Sequence, residues 1–210
     1  MNLIFFDKIS KKKFTENARA KCRKNRDQIK TSEIIIHFTP FSGYEILFQQ
    51  AKLTFTVPLV SSLLQYLDKN PIIKLKVLDV TSTTNTTVTY RMEESYEFLQ
   101  LNKLNGQLWF RQESWKKNSR ESYSLVIAAE KSDGFMARMT LDLHVKEFDD
   151  INDFCGRFMC FYESVTYHAM EDYNESFKSR EIGEVSPKIY SKLCKAFNVS
   201  YELLNCEYIL

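Results

Sequence analysis

Residues 141–153 have the sequence Leu-Asp-Leu-His-Val-Lys-Glu-Phe-Asp-Asp-Ile-Asn-Asp, in which one pattern ends and another begins. The alternating apolar residues Leu141, Leu143 and Val145 predict a β-strand. The four residues 150–153 that follow carry three oxygen-bearing side chains. Such a cluster is typical either of a polar turn or of a site for a hard cation such as calcium.

Alternation of apolar and polar residues continues through most of the chain. It predicts strands at residues 34–38, 53–57, 73–77, 90–92, 108–110 and 123–127. Turn sequences separate several of them, notably Asn105-Gly106 and Asp133-Gly134. Short strands at this spacing, with no clear helical stripe, predict a two-sheet antiparallel β-sandwich.

The two halves of the chain also resemble each other. Phe48 and Phe158 are 110 positions apart, and residues 88–92 (Val-Thr-Tyr-Arg-Met) are echoed by residues 199–203 (Val-Ser-Tyr-Glu-Leu). The strand predicted at residues 34–38 is echoed by the strand that contains Leu141. Three matches in the same order, at nearly one offset, predict a domain-sized repeat.

Composition and length restrict the class of protein. The 210 residues are 44% hydrophobic and 27% charged, as in an ordinary globular protein. No stretch approaches the roughly 18 apolar residues of a membrane span. The first residues lack the basic start and the apolar length of a signal peptide. We therefore expect the start of the chain to be internal to a longer protein.

The N-terminal segment is strongly basic. Residues 1–31 hold ten Lys or Arg and three Asp or Glu, whereas the whole chain has a net charge of +2. This segment, with Lys11-Lys12-Lys13 as its densest part, fits contact with nucleic acid or anionic lipid. It also fits a solvated helix or loop, and both interpretations stay open.

Cysteines and glycosylation sequons leave the compartment undecided. The five cysteines show no zinc-binding spacing, and Cys155 and Cys160 can form a disulfide only if their backbones face each other. Acceptor sequons begin at Asn85, Asn174 and Asn198, and they agree with a secreted glycoprotein.

No arrangement of side chains predicts an enzyme. The histidines His37, His144 and His168 are scattered, with no nucleophile elbow nearby. His37 and His144 each lie between apolar strand residues, so we expect them to face outward into solvent. Glu113 and Glu121 are predicted to be surface charges rather than an acid–base pair.

From Phe48 onward, the order and spacing of the motifs resemble a cadherin repeat. The matching motifs are Val57-Pro58, Val77-x-Asp79, Asn85-x-x-Val88-x-Tyr90, Leu99-x-Leu101-Asn102-x-x-Asn105-Gly106-x-Leu108, Tyr123-x-Leu125-x-Ile127-x-Ala129, Asp150-x-Asn152-Asp153 and Phe158. The resemblance implies an all-β fold of tandem cadherin-type Greek-key sandwiches, which are immunoglobulin-like. It divides the chain into a basic segment with the tail of a preceding repeat (1–47), one complete repeat (48–153) and the N-terminal half of a following repeat (154–210).

The resemblance also implies candidate metal ligands. The ligands for calcium would be Asp150, Asn152 and Asp153 at one end of the repeat, with Asp79 and Asn85 at the other. Most other expected ligands are replaced, since Leu59, Thr81, Lys116-Lys117-Asn118, Lys131 and Phe154 stand at their positions. With so few acids, we expect weak calcium binding at most, and a lysine at 116 or 117 that offsets the charge of Asp150.

The function that follows from the resemblance is homophilic cell–cell adhesion. The chain would be a structural and adhesive module, not an enzyme, on the extracellular side of the plasma membrane in a membrane-anchored parent. Its partners would be neighbouring cadherin repeats and another cadherin, with no nucleic acid. The alternative is a non-cadherin β-sandwich that binds anionic partners through the basic N-terminal segment. Because residues 158–210 lack the strands that complete a sandwich, we expect them to leave an exposed sheet edge.

Overall fold

The fold is taken from a computed structural model, which describes residues 2–5, 15–24, 28–39, 46–60, 64–79, 87–111, 114–115, 120–157, 163–170, 180–184 and 200–209. The elements of the first half are β1 (Asn2–Phe5), β2 (Thr15–Lys24), β3 (Gln28–Thr39), β4 (Ile46–Phe48), β5 (Gln50–Leu59), α1 (Leu64–Lys69), β6 (Ile73–Lys74), β7 (Val77–Asp79), β8 (Val88–Met92) and β9 (Leu99–Leu101). Those of the second half are β10 (Gln107–Phe110), β11 (Ser122–Lys131), β12 (Met136–Glu147), α2 (Ile151–Arg157), β13 (Ser164–Met170), β14 (Arg180–Glu184) and β15 (Ser200–Ile209). The described part of the chain is therefore almost entirely β-structure.

One sheet of the central sandwich is made of β4, β6, β7, β9 and β10. β4 pairs with β7, and β10 pairs with both β6 and β9, all antiparallel. Between β6 and β7 the pairing continues, because the Leu75 N–H donates to the Gly106 carbonyl and the Gln49 N–H donates to the Lys76 carbonyl, both at 2.9 Å. β6 and β7 thus act as one strand that joins β4 to β10.

The second sheet of the sandwich has the order β5-β12-β11-β8. β11 is antiparallel to both β12 and β8, whereas β5 runs parallel to β12, with Leu53 beside Leu141 and Phe55 beside Leu143. In chain order, the two sheets match strands A-B-E-D and C-F-G of an immunoglobulin-type sandwich, with β5 added beside the last strand. The all-β sandwich is confirmed. The prediction that its pairing is wholly antiparallel is wrong for β5 and β12.

Alternate residues of both sheets meet in one hydrophobic core. Leu53, Leu108, Leu141 and Leu143 are fully buried in it. Aromatic rings connect the sheets, since the Phe98 ring on the β9 side lies 4.8 Å from that of Tyr123 on β11. Each fully buried side chain of this size contributes about 1.5–3 kcal/mol, so the core accounts for most of the stability of the sandwich.

The Asn105-Gly106 turn is confirmed at the start of β10. Gly106 has a φ of +67°, and a Cβ at this position would lie 3.0 Å from both the Leu75 carbonyl oxygen and the Tyr90 ring. Glycine is therefore required here by backbone conformation and by space. This turn brings β9 and β10 together at the sheet edge.

The second sheet extends beyond the sandwich to eight strands, in the order β15-β2-β3-β13-β5-β12-β11-β8. Each half of this sheet has two antiparallel strand pairs and then a parallel pair, counted from the outermost strand inward. The antiparallel pairing of β13 with β5 joins the two halves. The strands matched in sequence hold equivalent places: β15 and β8 are outermost, and β3 and β12 are third from each end. The repeat is thus visible in the sheet order, whereas the boundaries at 47/48 and 153/154 stay predictions.

Two other expectations can be compared with the structure. β13 is paired on both sides, whereas β15, also within residues 158–210, is the outermost described strand of the sheet, so the predicted edge lies at β15 and not at β13. Residues 15–24 of the basic segment form β2, and not a solvated helix or loop. Neither described helix has the length and apolar character needed to cross a membrane.

Candidate functional site

Residues 150–153 form the start of helix α2. Asp150 precedes the helix, and its Oδ1 accepts a hydrogen bond from the Asp153 N–H at 2.7 Å. The Asp150 carbonyl accepts from the Phe154 N–H at 3.2 Å. This is the geometry of an N-cap residue, whose side chain satisfies a backbone donor that has no partner within the helix.

Helix α2 is fixed to the end of the sandwich by aromatic packing. Phe154 is fully buried, and its ring meets that of Phe148 edge-on at 5.2 Å. This contact across the helix start resembles a hydrophobic staple. Cys155 is buried and disulfide-bonded, while Cys160, the partner considered from the sequence, lies outside the described residues. The short helix therefore depends on tertiary contacts.

The predicted metal ligands divide between the two ends of the sandwich. Asp150, Asn152 and Asp153 lie together where β5 and β12 finish. Asp79 ends β7 opposite Ile46, near the start of β5, and its side chain is not described. Asn85 lies outside the described residues, as do the other sequon residues Asn174 and Asn198.

The described residues show no complete set of calcium ligands at 150–153, so calcium binding there stays a prediction. No group of three or more His, Cys, Asp or Glu within the described residues is placed to hold a metal ion. One oxygen of Asp150 already accepts the backbone N–H of Asp153, and the positive end of a helix dipole disfavours a cation. Lys116 and Lys117 lie outside the described residues, so their predicted pairing with Asp150 stays a prediction.

A buried lysine lies at the opposite end of the sandwich. Lys131, the last residue of β11, is 1% exposed, and its Nζ is 3.6 Å from Oδ2 of Asp133. The Lys131 ammonium and the Asp133 carboxylate thus form a partly buried ion pair at the end of the sandwich where Asp79 lies. This end of the sandwich also lacks a described calcium-type ligand set.

A polar cluster at the junction of β5, β12 and β13 was missed by sequence reasoning. The hydroxyl of Thr56 donates to Oε1 of Glu163, and Nδ1 of His144 lies 2.9 Å from Oε2 of the same carboxylate. The Glu163 N–H donates to the Thr54 carbonyl at 2.8 Å, and the Ser164 hydroxyl donates to Oγ1 of Thr54 at 3.0 Å. We call these five residues the Glu163 cluster.

Hydrogen bonding keeps the carboxylate of Glu163 ionised. Burial by itself raises the pKa of this carboxyl, because it penalises the charged form. The hydrogen bonds from Thr56 and His144, and the nearby positive charges of His144 and Lys146, outweigh burial and lower the pKa below its ordinary value of 4.5. Glu163 is therefore a charged acceptor at neutral pH.

A second acidic group lies on the same outer face. Burial raises the pKa of Asp142, but hydrogen bonds from Ser124 and Lys52, together with the charges of Lys52 and His144, outweigh it, so the pKa lies below its ordinary value of 3.8. The Ser124 hydroxyl is 2.7 Å from Oδ1, and the Lys52 Nζ is 3.2 Å from Oδ2. This network joins β5, β11 and β12 and does not include β13.

The Glu163 cluster is arranged to connect strands. In a hydrolytic triad the histidine lies between the carboxylate and the hydroxyl, so that it can take the hydroxyl proton. Here the carboxylate of Glu163 lies between Thr56 and His144, and Thr56 is fully buried. His144 faces outward, as expected, but it is paired with Glu163 and its side chain is 29% exposed, so it is only partly solvated.

The remaining sequence candidates are only partly described. Glu121 is exposed, as predicted, whereas Glu113 lies outside the described residues. The backbone N–H of His168 donates to the Gln49 carbonyl at 2.9 Å. The side chain of His37, on β3, is not described, so its predicted exposure stays a prediction.

Four of the residues of β2 are basic. Arg19, Lys21 and Arg23 stand at alternate positions of the strand, and Lys24 directly follows Arg23. In register, Arg19 lies opposite Glu33 on β3, and Lys21 lies opposite Glu202 on β15. Each of these two basic positions therefore has an acidic residue opposite it in the sheet register. Lys11-Lys12-Lys13 lie outside the described residues.

Comparisons with known proteins identify no family. No protein-family model and no curated protein matches the sequence. Among solved structures, the chain resembles protocadherin gamma B7 extracellular cadherin domains 1–4, with 18% identity over 58% of this chain and 29% of that one and a TM-score of 0.39. Drosophila N-cadherin EC1–3 matches with 13% identity over 57% and 41% and a TM-score of 0.37. Mouse cadherin-23 EC22–24 matches with 12% identity over 63% and 43% and a TM-score of 0.37.

The chain spans less than half the length of each of these structures. At these TM-scores the likeness is too low to support the fold or a function. The assignment of the fold therefore rests on the strand order and the core described above.

Proposed function

We propose that this chain is a structural and adhesive module of a cadherin-type ectodomain that acts in homophilic cell–cell adhesion. One observation carries the proposal: the ordered cadherin-like motifs span residues 48–153, and nearly the same residues, 46–148, form one complete sandwich of the A-B-E-D and C-F-G type. The strands predicted from those motifs are the strands of the two sheets. Sequence pattern and topology thus agree on one module.

The properties of the sandwich suit a module that carries load and presents surfaces. Its two sheets share a continuous core, and polar networks such as those of Asp142 and Glu163 connect neighbouring strands on its outer face. The described polar clusters connect strands and contain no hydroxyl activated by a histidine. A non-enzymatic role is part of the proposal.

The proposed partners are neighbouring repeats and another cadherin. The parent protein would be anchored in the membrane, with this module on the extracellular side. The two-part order of the eight-stranded sheet supports an arrangement in which the chain contains pieces of adjacent repeats. Adhesion of this kind would depend on the contact of identical modules from opposing surfaces.

Calcium has a reduced part in the proposal. Asp150 acts as the N-cap of helix α2, and Lys131 carries a buried positive charge at the other end of the sandwich. If any ion binds, Asp150, Asn152 and Asp153 would hold it at one end, with Asp79 and Asn85 at the other. An ion there would neutralise acidic side chains and stiffen the junction between repeats.

Bead aggregation tests this function. Beads coated with the chain should aggregate with each other and should exclude beads coated with an unrelated immunoglobulin-type domain. Because the calcium sites are degenerate, EGTA should reduce aggregation by less than about twofold. Leu141→Asp, which places a charge in the core, should abolish aggregation.

Two outcomes would contradict the proposal. One is a failure of the coated beads to aggregate at any coating density. The other is equal mixing with the control beads, which would show that any adhesion is not homophilic.

A further inference from the structure

We propose that Glu163 is an acid-sensitive latch that holds β13 on the β5 edge of the sandwich. The β13–β5 contact joins the two halves of the eight-stranded sheet, so its strength determines whether they act as one unit. Glu163 lies immediately before β13, and its carboxylate reaches both β5 and β12 through Thr56 and His144. The inference does not depend on an adhesive function.

The two faces of β13 are held by different forces. On the core face, Val165 and Tyr167 are 2% and 0% exposed, and Val165 lies opposite Leu53. On the outer face, Ser164 bonds to Thr54 beside the Glu163 carboxylate. Apolar burial does not change with the protonation of a carboxyl group, whereas the hydrogen bonds of a carboxylate do. Acid should therefore weaken one side of the contact selectively.

The described charges that face Glu163 favour its ionised form. β12 contributes His144, in contact with the carboxylate, and Lys146. β5 contributes the hydroxyl of Thr56. The next acid on β12, Asp142, is paired with Lys52, which limits its repulsion of Glu163.

The direction of the pH effect follows from the lowered pKa of Glu163. A carboxyl group whose pKa is lower in the folded state contributes its full stability above the ordinary value of 4.5. That contribution is lost as the pH falls through the lowered pKa. The latch is thus closed at neutral pH and opens in acid, where a protonated Glu163 is a weaker acceptor for Thr56 and His144.

Hydrogen–deuterium exchange of the full chain tests the latch. The protection factors of the β13 amides Val165 to His168 would be measured between pH 7 and pH 3.5 and compared with those of Leu125 on β11. At pH 7, Glu163→Gln should lower the protection factors of β13 about tenfold, which corresponds to the loss of one charge-assisted hydrogen bond. The protection factor of Leu125 should not change. The wild type should fall to the level of the variant as the pH decreases, whereas the variant should show little change.

Asp142→Asn is the matched control. This residue has a lowered pKa on the same outer face, but its hydrogen bonds do not include β13. The protection factors of β13 in Asp142→Asn should equal those of the wild type at pH 7 and should fall in acid in the same way. If β13 protection is equal in the wild type and Glu163→Gln at pH 7, or if both lose it with the same pH profile, the latch is refuted.

A second variant covers the case in which Glu163→Gln does not fold, as shown by loss of Leu125 protection. His144→Gln removes the imidazole contact and leaves the bond between Thr56 and Glu163. It should lower β13 protection at pH 7 by several-fold, less than the loss of the whole carboxylate. Unchanged protection in this variant would also overturn the proposal.

Discussion

Replacement of Asp150 by alanine separates its structural role from a role in binding metal. In the structure, Asp150 caps helix α2 through its 2.7 Å bond to the Asp153 N–H. Loss of an N-cap side chain costs about 0.5–2 kcal/mol, and typically about 1 kcal/mol. Phe154 and Cys155 of this helix belong to the core, so the loss should be transmitted to the sandwich.

The expected change is therefore a decrease of about 1 kcal/mol in the free energy of unfolding of Asp150→Ala. For a chain of this size it corresponds to a decrease of about 2–4 °C in Tm. Asp150→Ser keeps a capping oxygen and should retain most of the stability. Asp149→Ala is the matched control, because Asp149 is the exposed neighbour of the cap. Its replacement should change stability by less than about 0.5 kcal/mol.

The assay is urea unfolding followed by fluorescence, once in EDTA and once in millimolar calcium. The N-cap account predicts the same loss in both solutions. A calcium ligand behaves differently, because bound ion stabilises the native state by mass action. Calcium would then stabilise the wild type, and both Asp150→Ala and Asp150→Ser would lose that increment. Losses confined to calcium-containing buffer, and equal for Ala and Ser, would refute the capping role.

Three further changes test the core, the turn and the basic strand. Leu125→Ala should lower the free energy of unfolding by about 2–5 kcal/mol in urea titrations. Ser124→Ala, on the outer face, should lower it by about 1 kcal/mol or less. Similar losses for the two variants would contradict the assigned faces of β11. Gly106→Ala should cost about 1–3 kcal/mol. Gly134→Ala is also strained, because Gly134 has a φ of +94°, but it should cost less, since a Cβ there meets no atom within 4 Å. Replacement of Arg19, Lys21 and Arg23 of β2 by serine should leave retention on heparin nearly unchanged at 150 mM salt. A large loss with steep salt dependence would favour the alternative of an anionic partner.

Sequence pattern was sufficient to predict most strands of the sandwich and their buried faces, but not β2, which lies in the segment interpreted as a helix or loop. The alternation of Leu53, Phe55 and Val57, and of Leu141, Leu143 and Val145, defines which side chains enter the core. Alternation does not define which strand lies beside which, or in which direction. The parallel pairing of β5 with β12 therefore could not be derived from it. Strand partners depend on contacts between residues far apart in the chain.

The role of Asp150 was ambiguous in sequence for a physical reason. The oxygen atoms that bind calcium are the same ones that cap helices, so Asp-Ile-Asn-Asp supports both interpretations. One signal favours the cap: Phe148 and Phe154 flank an acid that is followed three residues later by another acid. In the structure these two phenylalanines pack together, as this signal predicts.

The Glu163 cluster had no local sequence signal. Glu163 is 19 positions from His144 and 107 from Thr56, so only the fold brings them together. A partial clue was available, because His144 and Thr56 are outward positions of strands whose alternate residues are apolar. The carboxylate that pairs with both side chains is supplied by the residue before β13, the strand that covers the β5 edge.

The central claim is that residues 46–148 form a complete sandwich in which β5 runs parallel to β12. The most direct test is the measurement of cross-strand nuclear Overhauser effects between these strands in the full chain. Contacts should pair Leu53 with Leu141, Phe55 with Leu143 and Val57 with Val145, all in ascending order along both strands. Descending order, or an absence of contacts between β5 and β12, would contradict the account.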